Sequence, residues 1–176
     1  MEKKFNECFN SEGCKVTILD ESHVFDIQNL CERCKEYFIL DQGTGPGINV
    51  GKEILEALPP QLSKSEKYVL GIYNIENQII AIVDLLKNYP TMNEWVLGLM
   101  LIDPEERGLG LGKVIHESLV NWIKYQNGEK IRIGILDNNH RAIKFWSKIG
   151  YVLVKKSELE RDGKENRYIF NMDYYL

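Results

Sequence analysis

The stretch "DPEERGLGLGKVI", residues 103–115, places three glycines directly before an apolar pattern with helical spacing. Glycine is about 1 kcal/mol less favourable than alanine inside a helix, so Gly108, Gly110 and Gly112 need a reason other than helix formation. The preceding segment "EWVLGLMLI", residues 94–102, is almost entirely apolar, as in a central strand that is covered on both faces. The glycines therefore fall at the junction between a buried strand and a helix.

A glycine-rich loop at the start of a helix is suited to bind an anion. The helix N-terminus offers unpaired backbone N–H groups and a positive dipole end, and glycine allows close approach and unusual φ angles. A Walker A loop is excluded, because Arg107 stands where that motif needs its first glycine and Val114 where it needs a hydroxyl. A Rossmann fingerprint is also disfavoured, because it has the spacing G-x-G-x-x-G, whereas Gly108, Gly110 and Gly112 are each two residues apart. An R-x-x-G-x-G pattern over residues 107–112 remains, and close helix packing would explain only one or two of its glycines.

The rest of the chain alternates between strand-like and helix-like patterns, which predicts an α/β fold. Strands are expected at residues 15–20, 94–102, 130–137, 151–156 and 167–175, with a hairpin over 67–90 and a polar turn at 160–166. Helices are expected at residues 23–36, 49–58, 111 to about 127, and 138–150, with a glycine-rich turn at 41–47. We therefore expect a single domain over residues 1–176, with a mixed, mostly antiparallel sheet of six to seven strands flanked by about four helices.

Composition and charge restrict the class of protein. The chain is 44% hydrophobic and has a net charge of −4, which argues against nonspecific binding to nucleic acid. Residues 1–88 hold 9 Lys and Arg against 14 Asp and Glu, so this half could attract a cationic molecule or could simply be a solvated acidic face. The start of the chain lacks an apolar leader, and the longest uncharged apolar run, residues 95–102, is too short to span a membrane. We expect a cytoplasmic protein that has no membrane partner.

Four cysteines raise the question of a zinc or redox site. Cys31 and Cys34 form a C-x-x-C pair, but Cys8 and Cys14 have an unusual spacing for a zinc knuckle. The pair also lies in a helical pattern with apolar residues at Phe25, Ile27, Leu30, Cys31 and Cys34. Buried, reduced thiols are the favoured interpretation.

Two motifs, taken in order, resemble the GCN5-related N-acetyltransferase (GNAT) superfamily. The first is "LIDPEERGLGLGKVI", an apolar strand that leads into [QR]-x-x-G-x-[GA], and the second is "NNHRAIKFWSKIGY", which follows one helix and one strand later. The second motif is matched by Asn139, Ala142, Phe145, Trp146, Lys148, Gly150 and Tyr151. The match covers about residues 92–151, and the predicted order of strands fits the rest of the fold.

The resemblance implies that the bound anion is the pyrophosphate of acetyl-CoA, which serves as cosubstrate without a metal. It implies a coenzyme A site formed by Leu101, Ile102, Arg107, Gly108, Leu109, Gly110, Leu111, Gly112, Lys113, Asn139, Ala142, Phe145 and Trp146.

Several of these side chains have an alternative structural role. Arg107 could contact a phosphate or join a surface network with Glu105 or Glu106, and a role for its backbone, with the side chain partly structural, is slightly favoured. Lys113 opposes the helix dipole unless a phosphate lies nearby. Asn139 could cap the following helix as well as contact the cofactor.

The catalytic positions depart from the pattern of the resembling family. Trp146 stands where many members have a tyrosine that is the proposed acid, and indole N–H is not a useful acid. Val96 stands where histone-type members have a glutamate base. Glu94, two residues earlier on the same face, and Asp84, an acid inside an apolar strand, are the nearest candidates for the base or for binding the substrate amine. A lone acid in such a strand often faces solvent, so neither assignment follows from the sequence alone.

Gly98, in the middle of the strand at residues 94–102, indicates either a bulge or a close helix contact. A bulge would separate two strands and admit the pantetheine arm of the cofactor between them.

The resemblance leads to one favoured function and two alternatives. We expect an N-acetyltransferase that moves an acetyl group from acetyl-CoA to a primary amine of a small, cationic molecule by direct attack in a ternary complex. Acetylation of a protein N-terminus or lysine is the enzymatic alternative, and a non-catalytic CoA-binding module is the other. The sequence leaves the acceptor open, and it also leaves open whether the chain forms a homodimer.

Overall fold

The computed structural model describes residues 13–159 and 167–176, so Cys8 and the turn expected at residues 160–166 lie outside the described residues. Within them, seven strands form one sheet in the order β1-β2-β3-β4-β5-β7-β6. All neighbours are antiparallel except β4 and β5, which are parallel. This confirms the predicted mixed, mostly antiparallel sheet. The bounds are Lys15–Ile18 (β1), Lys67–Tyr73 (β2), Ile79–Lys87 (β3), Glu94–Ile102 (β4), Lys130–Leu136 (β5), Val152–Leu159 (β6) and Arg167–Tyr175 (β7).

Five α-helices accompany the sheet in the described part of the chain. The helix expected at residues 23–36 is in fact two helices, because Cys34 departs from helical geometry between them. The second continues to Gln42, into the segment expected to be a turn, and it ends at Gly43 with a φ of +85°. The bounds are Val24–Arg33 (α1), Lys35–Gln42 (α2), Val50–Glu56 (α3), Leu111–Tyr125 (α4) and His140–Ile149 (α5).

Helices cover both faces of the sheet, and the alternation of strand side chains divides the core in two. Helices α1, α2 and α3 pack on one face through Ile27, Leu30, Cys31, Phe38 and Val50. Helices α4 and α5 pack on the other through Ile115, Leu119, Trp122, Ile123 and Trp146. Phe25, although part of the apolar pattern, does not join the α1–α3 core, since its side chain is 74% exposed. Phe25 lies two residues before the buried Ile27 and therefore about 200° around the helix from it.

Strand β4 is irregular at its centre and separates from β5 beyond its first three residues. Asp84 and Leu85 of β3 lie opposite Leu99 and Leu97 of β4, which leaves Gly98 as an extra residue in β4. Only the first three residues of β4 pair with β5. The bulge predicted at Gly98 is thus confirmed. The prediction that β4 is covered on both faces was wrong at this residue, which is exposed. We call the opening between the two strands the β4–β5 gap.

Candidate active site

The three glycines of the loop before α4 serve two different purposes. Gly108 and Gly110 have φ angles of +83° and +92°, and a Cβ atom at either would meet no atom within 4 Å. They give the loop a left-handed backbone that other L-residues rarely adopt, and they face open space. A Cβ at Gly112 would instead lie 3.1 Å from atoms of Ile102 and Phe145. Helix packing therefore explains Gly112, whereas loop conformation and open space explain the other two.

The loop leaves a row of backbone donors unused. Within the described residues, none of the N–H groups of residues 108–112 donates a hydrogen bond to the protein. Gly110 is the N-cap of α4 and supplies no side chain to satisfy them. Free donors at a helix N-terminus are suited to bind an anion, because the helix dipole favours negative charge there.

A groove of about 920 Å³ extends from this loop between α4 and α5 to the end of β4, where α2 closes one side. Two predicted cofactor residues do not line it. Leu109 is 76% exposed beside the groove, and Leu111 is buried in the core below. The groove is lined by the other predicted cofactor residues: Leu101, Ile102, Arg107, Gly108, Gly110, Gly112, Lys113, Asn139, Ala142, Phe145 and Trp146.

Arg107 holds the loop in place through its side chain. It forms an ion pair with Glu36 of α2, and not with the neighbouring glutamates that the surface-network alternative named. Its Nε also donates to the Ile102 carbonyl at 2.7 Å, and its Nη2 to the Cys34 sulfur at 3.4 Å. These contacts join the loop, the end of β4 and the α1–α2 junction. They agree with the structural role that the sequence favoured for this side chain.

The cysteine pair is buried and reduced, as predicted. Cys31 and Cys34 are fully buried and free. Burial raises the pKa of Cys34 to about 11 despite the neighbouring Arg107, so its sulfur remains a thiol and donates to the Ile102 carbonyl at 3.4 Å. The described residues contain no group of three or more His, Cys, Asp or Glu placed to hold a metal ion.

Asn139 caps α5, because its Oδ1 accepts a hydrogen bond from the Ala142 N–H at 3.1 Å. The capping role predicted for this residue is confirmed. Trp146, in the same helix, is buried and packs edge-on against Phe145 and Tyr151 at centroid distances of 4.8 and 5.1 Å. Helix α5 therefore supplies one wall of the groove with a fixed aromatic surface.

Asp84 lies directly beside the bulge. Its side chain is only 15% exposed, and both of its oxygens accept hydrogen bonds from the Lys67 ammonium group, at 2.8 and 2.7 Å. Its Oδ2 lies 3.7 Å from the position that a Cβ on Gly98 would take. Burial raises the pKa of Asp84 above its ordinary value, although Lys67 acts in the opposite direction. The sequence did not reveal Lys67, since only the β2–β3 register brings it to Asp84.

Glu94 is an anion in a network of ion pairs. Its carboxylate accepts a hydrogen bond from Lys130 at 2.7 Å, and Asp173 binds both Lys130 and Arg132. The hydrogen bond from Lys130 lowers the pKa of Glu94. The pKa values of the two predicted candidates therefore shift in opposite directions, that of Asp84 upward and that of Glu94 downward.

Both carboxylates lie on the face of the sheet that α1–α3 cover, opposite the groove between α4 and α5. Asp84 is paired with Val69, which packs in the α1–α3 core. Trp95 packs in the α4–α5 core, so the preceding Glu94 points the other way. Neither carboxylate lines the groove, whose β4 residues are Met100, Leu101 and Ile102. A molecule in the groove would therefore have to pass through the β4–β5 gap to meet them.

Sequence reasoning missed several groove residues. His116 and Tyr174 contribute to the groove from α4 and β7, and Tyr37 from α2. His116 is only 3% exposed, and its Nε2 has no hydrogen-bond partner in the described part of the chain. Burial lowers the pKa of His116 to about 4, so it is neutral at physiological pH. A His on an amphipathic helix carries no signal of this role in the sequence, because the groove forms only in the tertiary structure.

The structure combines a glycine loop with free N–H groups at a strand-to-helix junction, a groove beside it, and a gap between two parallel strands. These features are typical of a protein that binds a phosphate-containing cosubstrate. The chain matches the model of the Acetyltransferase (GNAT) family over residues 28–151, and it belongs to this family. It is accordingly an acetyl-CoA-dependent N-acetyltransferase by class. No curated protein sequence matches it significantly.

Solved structures of acetyltransferases share the fold. A spermidine N-acetyltransferase from Vibrio cholerae, in complex with CoA and spermine, superposes with a TM-score of 0.70 at 14% identity, covering 94% of this chain and 96% of that one. The ribosomal-protein-S18-alanine N-acetyltransferase from Escherichia coli gives 0.68 at 11% identity, with 92% and 93% covered. A probable acetyltransferase from Staphylococcus epidermidis ATCC 12228 gives 0.68 at 18% identity, with 92% and 98% covered.

Proposed function

We propose that this chain acetylates a primary amine of a small, cationic molecule by direct attack on acetyl-CoA in a ternary complex. The observation that carries the proposal is the groove that runs from the five free N–H groups of residues 108–112 to Met100 near the end of β4, two residues from the bulge at Gly98. A phosphate-containing arm bound by the loop would lie in this groove, and its other end would reach the buried carboxylate of Asp84 through the β4–β5 gap.

The groove residues fit coenzyme A. The free N–H groups of the loop would bind the pyrophosphate. Lys113, Arg141 and Lys148 line the same groove and add positive charge for phosphate groups. The cosubstrate supplies an activated thioester, so the protein has to orient two substrates and move protons.

The two predicted carboxylates have different roles in the reaction at the β4–β5 gap. The neutral amine attacks the thioester carbonyl, and backbone N–H groups of β4 near Gly98 polarise that carbonyl. We assign Asp84 as the base that receives the proton lost by the attacking nitrogen, directly or through water, because it combines burial, a raised pKa and contact with the bulge. Glu94, held by Lys130, is assigned to binding the substrate amine.

The acidic first half of the chain favours a small cationic acceptor, because opposite charges attract. The Vibrio cholerae enzyme, which shares the fold, is in complex with spermine, a molecule of this kind. The Escherichia coli enzyme is named for a protein substrate, an alanine of ribosomal protein S18. A protein N-terminus is therefore the alternative acceptor.

Thiol release distinguishes these acceptors. The purified chain is mixed with acetyl-CoA and a panel of polyamines, basic amino acids, amino sugars and short peptides with free N-termini. We expect amine-dependent thiol release with the small cationic compounds. Release with peptides alone would contradict the small-molecule proposal. CoA binding without release for any amine would favour a non-catalytic module.

We also propose that residues 1–176 act as one acetyltransferase domain in the cytoplasm. The described cysteines are free, which suits a reducing compartment. In the described part of the chain, no helix is long and apolar enough to cross a membrane.

The position and exposure of strand β6 favour the formation of a homodimer through this strand. It is the outermost strand of the sheet, and its side chains are exposed on both faces along almost its whole length. An antiparallel pair of β6 strands with a twofold axis between Lys156 and Ser157 would place Lys155 opposite Glu158 of the second copy, and Val154 opposite Leu159.

A further inference from the structure

Acetyl transfer requires a proton for the sulfur that leaves. When the carbon–sulfur bond breaks, its electron pair stays on sulfur, and a hydrogen-bond donor at that atom lowers the barrier. Trp146 stands where many members of the family have a tyrosine, and it offers only an indole N–H. The donor must therefore come from another residue or from water.

The groove contains few neutral groups that could supply this proton. His116 is neutral at physiological pH and its Nε2 is sealed from solvent. The one N–H of a neutral imidazole is a much weaker acid than a phenol. Tyr151 lies in the same aromatic cluster, but its hydroxyl is buried and does not line the groove. Two hydroxyl side chains do line it, those of Tyr37 and Tyr174. In the described residues neither hydroxyl has a hydrogen-bond partner.

The two tyrosines lie on opposite faces of the sheet. Tyr37 comes from α2, on the α1–α3 side, and packs against the core that contains Leu101 near the end of β4. Tyr174 lies on the α4–α5 side, where Met172, two residues earlier in β7, packs in the core. Only Tyr174 therefore shares the face on which α4 and α5 form the groove.

Tyr174 also lies at the closed end of the β4–β5 gap. It is opposite Ile131 of β5, and Ile131 is opposite Trp95 in the short segment where β4 and β5 still pair. The anion-binding loop lies at the other end of the groove, beyond the end of β4. An arm whose phosphate is bound by the loop would extend toward the closed end, so its sulfur would approach Tyr174.

The ring of Tyr174 is held firmly while its hydroxyl is free. Its centroid lies 5.0 Å from that of His116, with the rings almost perpendicular, and 5.2 Å from that of Tyr151. The residue is partly exposed, in contrast to both of these neighbours. A fixed ring with an open hydroxyl is preorganised to donate at one point in the groove.

We propose that Tyr174 donates the hydrogen bond and the proton that the leaving sulfur of coenzyme A receives, a proposal that rests on the acetyl-transfer function above. In this step the amine nitrogen bonds to the carbonyl carbon and the carbon–sulfur bond breaks. The sulfur takes the Tyr174 proton, and Asp84 takes the proton lost by nitrogen, directly or through water. Asp84 then releases its proton to solvent and the tyrosinate regains one from solvent, so no net charge is left on the protein. The products are the acetamide and the free thiol.

The first test compares Tyr174→Phe with Tyr125→Phe, which each remove one hydroxyl and keep the ring. Tyr125 is the control because it is 59% exposed at the end of α4 and does not line the groove. We expect Tyr174→Phe to lower kcat by at least about tenfold, since general acid–base catalysis contributes roughly 10²–10⁴, with little change in KM for acetyl-CoA, whereas Tyr125→Phe should stay within about twofold of the wild type. The proposal is wrong if Tyr174→Phe keeps its kcat, or if Tyr37→Phe, in the same groove, shows the larger loss.

A second test does not depend on turnover and therefore separates this proposal from the proposed function. Calorimetry measures the binding of CoA and of desulfo-CoA, which lacks the sulfur, to the wild type and to Tyr174→Phe. We expect the variant to lose affinity for CoA by about three- to tenfold, as for one hydrogen bond, and to bind desulfo-CoA like the wild type. An equal loss for both ligands would show a structural role and overturn the proposal.

Discussion

At the scale of single residues, the buried ion pair of Lys67 and Asp84 is the feature that most needs an explanation. The two side chains are 6% and 15% exposed. A buried pair of this kind is often no more stable than apolar residues of similar volume, because desolvation offsets the attraction between the charges. Its position beside the bulge at Gly98 supplies a functional reason for keeping it.

Removing the carboxylate should affect both stability and activity. We expect Asp84→Asn to destabilise the fold by about 3–5 kcal/mol, because it leaves the Lys67 ammonium buried without a counter-charge. It should also lower kcat by about 10²-fold if Asp84 is the base. Chemical denaturation and steady-state kinetics on the same preparation measure the two effects.

A double variant separates these effects. Lys67→Met combined with Asp84→Leu replaces the pair by apolar side chains, so stability should return to near the wild-type value while activity stays low. Recovery of activity together with stability would show that the pair is only structural.

The pH dependence of the wild type gives an independent check on the same carboxylate. A base acts in its ionised form, so kcat/KM should fall as the pH drops through the pKa of Asp84. Burial raises this pKa, and the fall should begin at a higher pH than an ordinary aspartate would give. Asp84→Asn should lack this limb of the profile.

At the scale of elements, the glycine loop shows how conformation and binding are linked. Gly108 adopts a φ of +83° with open space around the missing Cβ. Alanine at that position would cost roughly 1–2 kcal/mol in the left-handed region, whereas asparagine tolerates the region better.

We therefore expect Gly108→Ala to weaken the binding of CoA by about 5- to 30-fold, as measured by calorimetry, because the loop would move away from the geometry that directs its N–H groups. Gly108→Asn is the matched control, since it adds a larger side chain but can keep the backbone conformation. Similar affinity for CoA in Gly108→Ala and the wild type would show that the loop geometry does not control binding.

The elements also show what a sequence can and cannot predict. Strands β4 and β7 begin and end where their apolar patterns predict, and the bulge follows from a glycine inside a strand. The break at Cys34 was missed, because the apolar pattern continues across it. The partners of Asp84 and Glu94 were also missed, since a shift of one residue in strand register would exchange every cross-strand neighbour. Periodicity predicts which face a side chain takes, but only the assembled sheet sets its contacts.

At the scale of the whole molecule, the edge strand β6 leaves a run of apolar side chains uncovered. Val152, Leu153 and Val154 are 50%, 55% and 44% exposed. Exposed edges commonly carry lysines that discourage pairing with other chains, and Lys155 and Lys156 could have this effect. The alternative is self-pairing, in which Glu158 of a second copy lies opposite Lys155.

We expect the wild type to elute with the mass of two chains in size-exclusion chromatography with light scattering. Val154→Lys would place a charge opposite the apolar Leu159 of the second copy and beside its own two lysines, so it should shift the protein to the monomer. Ile48→Lys is the control, because Ile48 is 91% exposed on the segment before α3 and lies in no strand, and it should leave the dimer intact. A wild type that remains monomeric at high concentration would show that the lysines of β6 protect the edge instead of forming an interface.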